Sequence, residues 1–156
     1  MQGFVSYSHR DFEIVGAFMT HLVPAGPSGP HSFWIDRDLT AGRIWDDDIR
    51  SRIAASDLFV LLGSANFAAS AYIHDHEWPA IEARVAACKG LVVPVMLRDN
   101  FHFARKFGHL HNIPVVKGHL RPVGDWHPQN NGHTAAVRQL FAAVELHLKV
   151  PAGASP

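Results

Sequence analysis

Residues Leu58-Phe-Val-Leu-Leu62 form an unbroken apolar run, and Leu91 to Leu97 form a second. A strand with one wet face alternates polar and apolar side chains, whereas a strand covered on both faces does not. Two such runs require helices above and below a sheet. Pro94 lies inside the second run and lacks a ladder donor, which places it at a bend or facing the sheet edge.

The intervening segments supply the other elements. Phe4 to Tyr7 reads as the first strand, and Asp11 is placed to cap a helix with the apolar face Phe12, Val15, Met19 and Leu22. The breaker-rich loop Pro24 to Pro30 ends that helix, and Phe33-Trp-Ile35 is the second strand. Asp46, Asp47 and Asp48 mark a helix start, where negative charge suits the dipole, and Ile49 and Ile53 give its buried spacing. As an acidic triplet the three also have the composition of a cation site. A helix follows from about Tyr72 to Cys88, and one short helix lies within Asn100 to Asn112. Ile113 to Val116 reads as a weak fifth strand, and a helix from Thr134 to Lys149 buries Val137, Leu140, Phe141, Val144 and Leu148.

Alternating strands and helices imply right-handed crossovers and a parallel sheet. The expected fold is α/β, a flavodoxin-like three-layer sandwich with a five-stranded parallel sheet of order 2-1-3-4-5 and helices on both faces. Residues 1–149 form this domain, and residues 150–156 read as a tail or the start of a linker to a further domain. The chain has no internal repeat.

Lys+Arg and Asp+Glu both count 14 in 156 residues, so no net field draws the protein to nucleic acid or an anionic membrane. No apolar stretch approaches the ~20 residues of a membrane helix. The first residues read as a strand rather than a leader, and the one cysteine, Cys88, cannot form an internal disulfide. A soluble, cytoplasmic protein is expected. Cys88 sits near a helix C-terminus, where the dipole disfavours a thiolate, and reads as a small packing residue. Twelve histidines raise the question of a metal. The pairs His74/His76 and His109/His111 have no third ligand at a recognisable spacing, and on a helix i and i+2 diverge, so surface and loop histidines with no metal are expected.

Open parallel sheets bind ligands outside the carboxyl ends of their strands. Ser6 to Arg10, Asp36 to Trp45 and Gly63 to Glu77 should converge there, bringing Tyr7, His9, Asp36, Arg43, Trp45, Tyr72 and Glu77 to one cleft. There is no G-x-G-x-x-G, no G-x-x-x-x-G-K and no G-x-S-x-G, so the usual dinucleotide-fold, phosphate-loop and hydrolase readings lose their support. The aspartate that a phosphoacceptor domain needs at the end of strand one is also missing. By position alone, Glu77 is either an exposed helix-start charge or a cleft carboxylate used in chemistry.

Four segments resemble one family. Phe4-Val-Ser-Tyr-Ser-His-Arg-Asp11 is similar to the opening F-[IV]-S-Y-x-x-x-D box of TIR (Toll/interleukin-1 receptor) domains. Phe33 to Trp45 resembles their second strand and BB loop, F-x-D-x-x-L-x-x-G-x-x-W. Asp57 to Phe67 resembles the third-strand motif D-x-F-[VI]-x-L-[VL]-S-x-N-[FY], and Ser70-Ala-Tyr72 with Glu77 resembles the bacterial S-x-[YW]-C-x-x-[ED]-[IL]-E stretch. The boxes fall in order at family spacing across Met1 to Lys149. Ile73, His76 and Trp78 depart from the usual neighbours of the glutamate.

The resemblance implies two branches. One splits NAD+ into nicotinamide and ADP-ribose or a cyclic isomer, and the other is a non-catalytic adaptor acting through TIR–TIR contacts. The bacterial style of the glutamate motif favours the NAD+ glycohydrolase, with NAD+ as substrate and no further cofactor. It implies Glu77 as the catalytic residue on the nicotinamide-side ribose, with Tyr7, Ser8 and His9 lining that end. Arg43 and Trp45 would clamp or stack on the dinucleotide, although Trp45 also reads as a helix-start core anchor. Asp36 shapes the turn after strand two more readily than it does chemistry. Tyr72 either closes the pocket wall or packs beneath the helix. The BB loop, Arg37 to Ile44, carries Leu39, Arg43 and a hinge at Gly42, a composition suited to self-association in open filaments. The implied setting is bacterial antiviral defence, either within a larger sensor whose regulatory part lies beyond the C-terminus or as a short stand-alone protein.

Overall fold

The computed structural model describes residues 1–23, 31–35, 45–88 and 90–149, with Trp45 and Cys88 described by backbone alone. Strand β3 (Leu58–Gly63) is buried at every residue. It pairs in parallel with β1 (Gln2–Ser6) on one side and β4 (Leu91–Met96) on the other, and β2 (Ser32–Trp34) pairs in parallel with β1. The sheet order is β2-β1-β3-β4.

Alternation along β3 divides the core in two. Leu58, Val60 and Leu62 face helices α1 (Phe12–Leu22) and α6 (Gln129–Lys149), meeting Ile14, Val15, Phe18, Leu140 and Val144. Phe59 and Leu61 face the other layer. There α2 (Trp45–Ala55) contributes Ile49 and Ile53, the single-turn α3 (Ala65–Ala68) contributes Phe67, α4 (Trp78–Cys88) contributes Ile81, and α5 (Phe101–Phe107) contributes Phe103 and Phe107. At Gly63, the last residue of β3, Phe103 lies so close that an added Cβ would stand 2.5 Å from its ring. The result is the expected three-layer α/β sandwich with helices on both faces.

The fifth strand does not form as expected. Ile113 makes one parallel bridge to Val95, through Ile113 N–H to Pro94 O and Met96 N–H to Ile113 O. Pro114 follows and has no donor with which to extend the ladder. Val115–Val116 (β5) instead pairs antiparallel with His119–Leu120 (β6), and the Gln139 side chain of α6 bonds both the N–H and the C=O of Val115. The four-stranded order 2-1-3-4 replaces the five-stranded one. Pro94 itself faces the outer edge, since its carbonyl bonds Ile113 there.

Two helix faces also differ from expectation. Phe12 is exposed, and Ile14 and Phe18 are buried in its place; Leu148 is exposed near the end of α6. Asp11 precedes α1 but makes no side-chain cap, because its carboxylate is engaged elsewhere. Among the described residues no helix is long and apolar enough to cross a membrane.

His133 of α6 is fully buried, and neither ring nitrogen has a hydrogen-bond partner. It stacks on His21 of α1 at 5.1 Å and tilts against Phe18. Burial, with a smaller contribution from the neighbouring His21 charge, pushes the imidazole down to about 4. The unfolded chain protonates near the ordinary value of about 6.5. Below that pH it binds more protons than the folded chain, so stability is complete above pH 6.5 and falls toward pH 4, by about 3 kcal/mol. A His133→Leu variant should keep its thermal midpoint at pH 7.5 and flatten its fall between pH 6.5 and 4.5. Melting curves across that range check this.

Candidate active site

The cleft lies where the chain leaves β1 and β3. Even-numbered residues of β1 face the α2–α5 layer, so Phe4 enters that core and Ser6, one step beyond, points the same way. Ser6 pairs in register with Leu61 and is buried. Opposite it, the chain after α3 forms a π-helical turn, Ile73–Glu77, closed by the Trp78 N–H bonding the Ile73 carbonyl. This wider turn is common at functional positions. Glu77 is buried at 5% exposure, and its Oε2 accepts the Ser6 hydroxyl at 2.6 Å. The bland expectation of an exposed helix-start charge is therefore wrong for this carboxylate.

Tyr7, Ser8, His9, Arg10, Ser70, Tyr72, Ile73 and Glu77 enclose a cleft of about 210 Å³. Tyr7 and His9 stack at 5.3 Å on one side. On the other, Tyr72 stacks on His76 and donates its hydroxyl to Asp46 Oδ1 at 3.0 Å, while Arg50 Nε bonds Asp46 Oδ2 at 2.9 Å. Those two hydrogen bonds, Tyr72 first, hold the Asp46 carboxyl below the usual range. Burial, and then the bond to Asp46, pushes the Tyr72 phenol well above its ordinary value. Tyr72 thus serves both expectations for it, packing against the core and walling the cleft.

Of the residues expected at the site, Tyr7, Ser8, His9, Tyr72 and Glu77 come together. Asp36, Leu39 and Arg43 lie outside the described residues, and Trp45 opens α2 with its side chain outside them. Trp78, the residue after the glutamate, packs edge-on to Phe107 at 4.8 Å with Lys106 over its ring. His74 and His76 diverge, His74 bonding the Ala68 carbonyl and Lys106 while His76 covers Tyr72. Among the described residues no three His, Cys, Asp or Glu side chains are grouped to hold a metal. Ser6, Arg10, Ser70 and Ile73 also line this end of the sheet; the sequence placed them in the converging segments and motifs without naming them as site residues. For Ser6 the available signal was a hydroxyl in step with Phe4 on the same face of the strand.

A second buried carboxylate braces the same end of the sheet. Asp11 accepts the Ser64 hydroxyl and the Asn66 amide at 2.8 Å, with Arg98 Nη1 at 3.8 Å. Ser64 caps α3 by accepting the Phe67 N–H. The segment carrying His9 and Arg10 is thereby fastened to the exit of β3.

The TIR domain family model matches residues 4–127. The chain belongs to the TIR domain family. A Sinorhizobium fredii relative, the uncharacterised protein y4lF, is 33% identical over 124 residues, covering 79% of this chain and 37% of that one. The chain thus spans little more than a third of that relative's length.

Removing the Asp11 carboxylate strands the buried Ser64 hydroxyl and the half-buried Asn66 amide. Asp11→Ala should cost about 3 kcal/mol of stability, read as a lowered urea midpoint, whereas substitution of the exposed Arg98 should cost far less.

Proposed function

We propose that this TIR domain cleaves NAD+ at the bond between nicotinamide and ribose. The observation that carries the reading is Glu77, a buried carboxylate bordering a cleft at the carboxyl ends of the strands. A lone carboxylate cannot run the two-carboxylate scheme of ordinary glycosidases. It suffices here because nicotinamide leaves as a neutral molecule, taking the bond's electron pair without needing a proton. The ribose becomes an oxocarbenium-like cation, and Glu77 stabilises it electrostatically and through the ribose hydroxyls. Water at the anomeric carbon gives ADP-ribose and releases a proton, whereas the adenine of the same molecule gives a cyclic isomer.

The cleft is smaller than the roughly 300–1,000 Å³ typical of whole-ligand pockets. It suits the nicotinamide riboside end, with Tyr7, Ser8 and His9 against that end and Tyr72 as the facing wall. The rest of the dinucleotide falls to the BB loop, where Arg43 and Trp45 supply a bidentate donor and a stacking surface. In this reading the loop of one protomer completes the site of another, and activity follows self-association. Such an enzyme would act in bacterial antiviral defence by depleting NAD+ or producing a signal.

Glu77→Gln should lower nicotinamide release by about 10²–10³-fold with an unchanged circular dichroism spectrum, as measured by chromatography of NAD+ incubations. Intact NAD+ at every protein concentration, alongside a stable complex with other TIR domains, would favour the adaptor reading instead.

Assembly has its own signature. Specific activity of the parent should climb steeply from nanomolar to high micromolar protein, and Leu39→Asp combined with Arg43→Glu should abolish the climb. A parent with constant activity per molecule across that range would remove the assembly requirement and leave Glu77 in place.

A further inference from the structure

We propose that Ser6 is the positioning residue for Glu77, holding the carboxylate in the rotamer and charge state that the cleavage step uses. This rests on the reading of Glu77 as the catalytic group and goes beyond it by assigning the residue that sets its geometry.

Three observations carry the assignment. Ser6 Oγ donates to Glu77 Oε2 at 2.6 Å, within the range of a charge-assisted O–H···O⁻ bond. Both residues are buried, Ser6 at 1% and Glu77 at 5% exposure, so the bond acts in a low local dielectric. The donor is also rigid: Ser6 is the last residue of β1, paired with Leu61 of the fully buried β3, and that register fixes the direction of its Cβ. Glu77 stands on a single wide turn with two side-chain torsions more than serine, and the bond ties that longer arm to the stiffest part of the molecule.

Position matters because an electrostatic stabiliser is effective only when it is aimed before the charge develops. A donor to the charged form also lowers the carboxyl's proton affinity. Among the described residues, the other titratable or charged groups lining the cleft with Glu77 are Tyr72 on the same segment, with His76 stacked on it, and Tyr7, His9 and Arg10 from the turn after β1. None of these is built into the sheet.

The test compares Ser6→Ala, Ser6→Thr and Ser6→Cys with the parent, using nicotinamide release from NAD+ between pH 4 and 8. Ser6→Ala should lower kcat by about ten- to hundredfold, the worth of one hydrogen bond to a charged group. KM should stay within about twofold, since the bond touches no substrate atom. The acid limb of its kcat profile should move up by about one pH unit. Ser6→Thr keeps the donor on a strand-compatible residue and should restore most of the rate. If Ser6→Ala fails to fold, Ser6→Cys, with its weak thiol donor, carries the comparison: a several-fold fall in kcat with an upward acid limb supports the assignment, and parental kinetics overturn it. A folded Ser6→Ala with parental kcat and acid limb, in a chain that Glu77→Gln inactivates, overturns the role of Ser6 alone. A parent that releases no nicotinamide at any concentration overturns the catalytic reading and this role with it.

Discussion

Burial of β3 on both faces is the condition the remaining elements satisfy. A strand with no wet side must have a layer above and a layer below, and its parallel neighbours must return by crossovers long enough to provide them. Helices α1 and α6 close one side, and α2 through α5 close the other. Parallel pairing then sends β1, β3 and β4 out of the sheet at the same end. Among the described residues, the segments that follow β1 and β3 therefore meet at one rim.

At that rim the fold solves one problem twice. Serines at or just past the ends of β1 and β3 each donate a hydroxyl to a buried carboxylate, Ser6 to Glu77 and Ser64 to Asp11. A buried carboxylate without donors is costly, so each is held where a strand end can satisfy it. The two differ in what else they meet. Asp11 is consumed by Asn66 and the brace between loops, while Glu77 borders open space. Similar local chemistry therefore yields a tie between loops in one place and a carboxylate bordering a cleft in the other.

What the sequence disclosed follows from which forces leave a local trace. Double-faced burial leaves continuous apolar runs, so β3 and β4 were legible, and for Pro94 the edge was one of the two positions the sequence left open. Ordered motifs placed Glu77 and Tyr72 at the cleft. Ile113 to Val116 misled because apolar, β-branched composition says nothing about the partner. Lys117 and Gly118, both at positive φ, turn a two-residue hairpin there, and Gln139 draws Val115 toward α6. The Lys-Gly pair between short apolar stretches was the overlooked hairpin signal. Ser6 was illegible as a partner for Glu77, since 71 residues separate them and only the closed sheet brings them together. Phe12 and Asp11 were misassigned for a related reason: a helix start looks the same whether its first residues serve the helix or a neighbouring loop.

The π-helical turn carries an implication about how this wall of the cleft can change. In a regular α-helix, residues five apart sit about 140° from one another, so Tyr72 and Glu77 would look out from well-separated directions. The Trp78-to-Ile73 bond widens the turn by one residue and lets both side chains border the same space. The wall is in effect an α-helix carrying a one-residue insertion. Lengths matter here more than identities. Many substitutions between Ile73 and Glu77 preserve the shared face, but loss of a single codon would let the helix regularise, rotating tyrosine and glutamate apart while leaving the sheet beneath them intact.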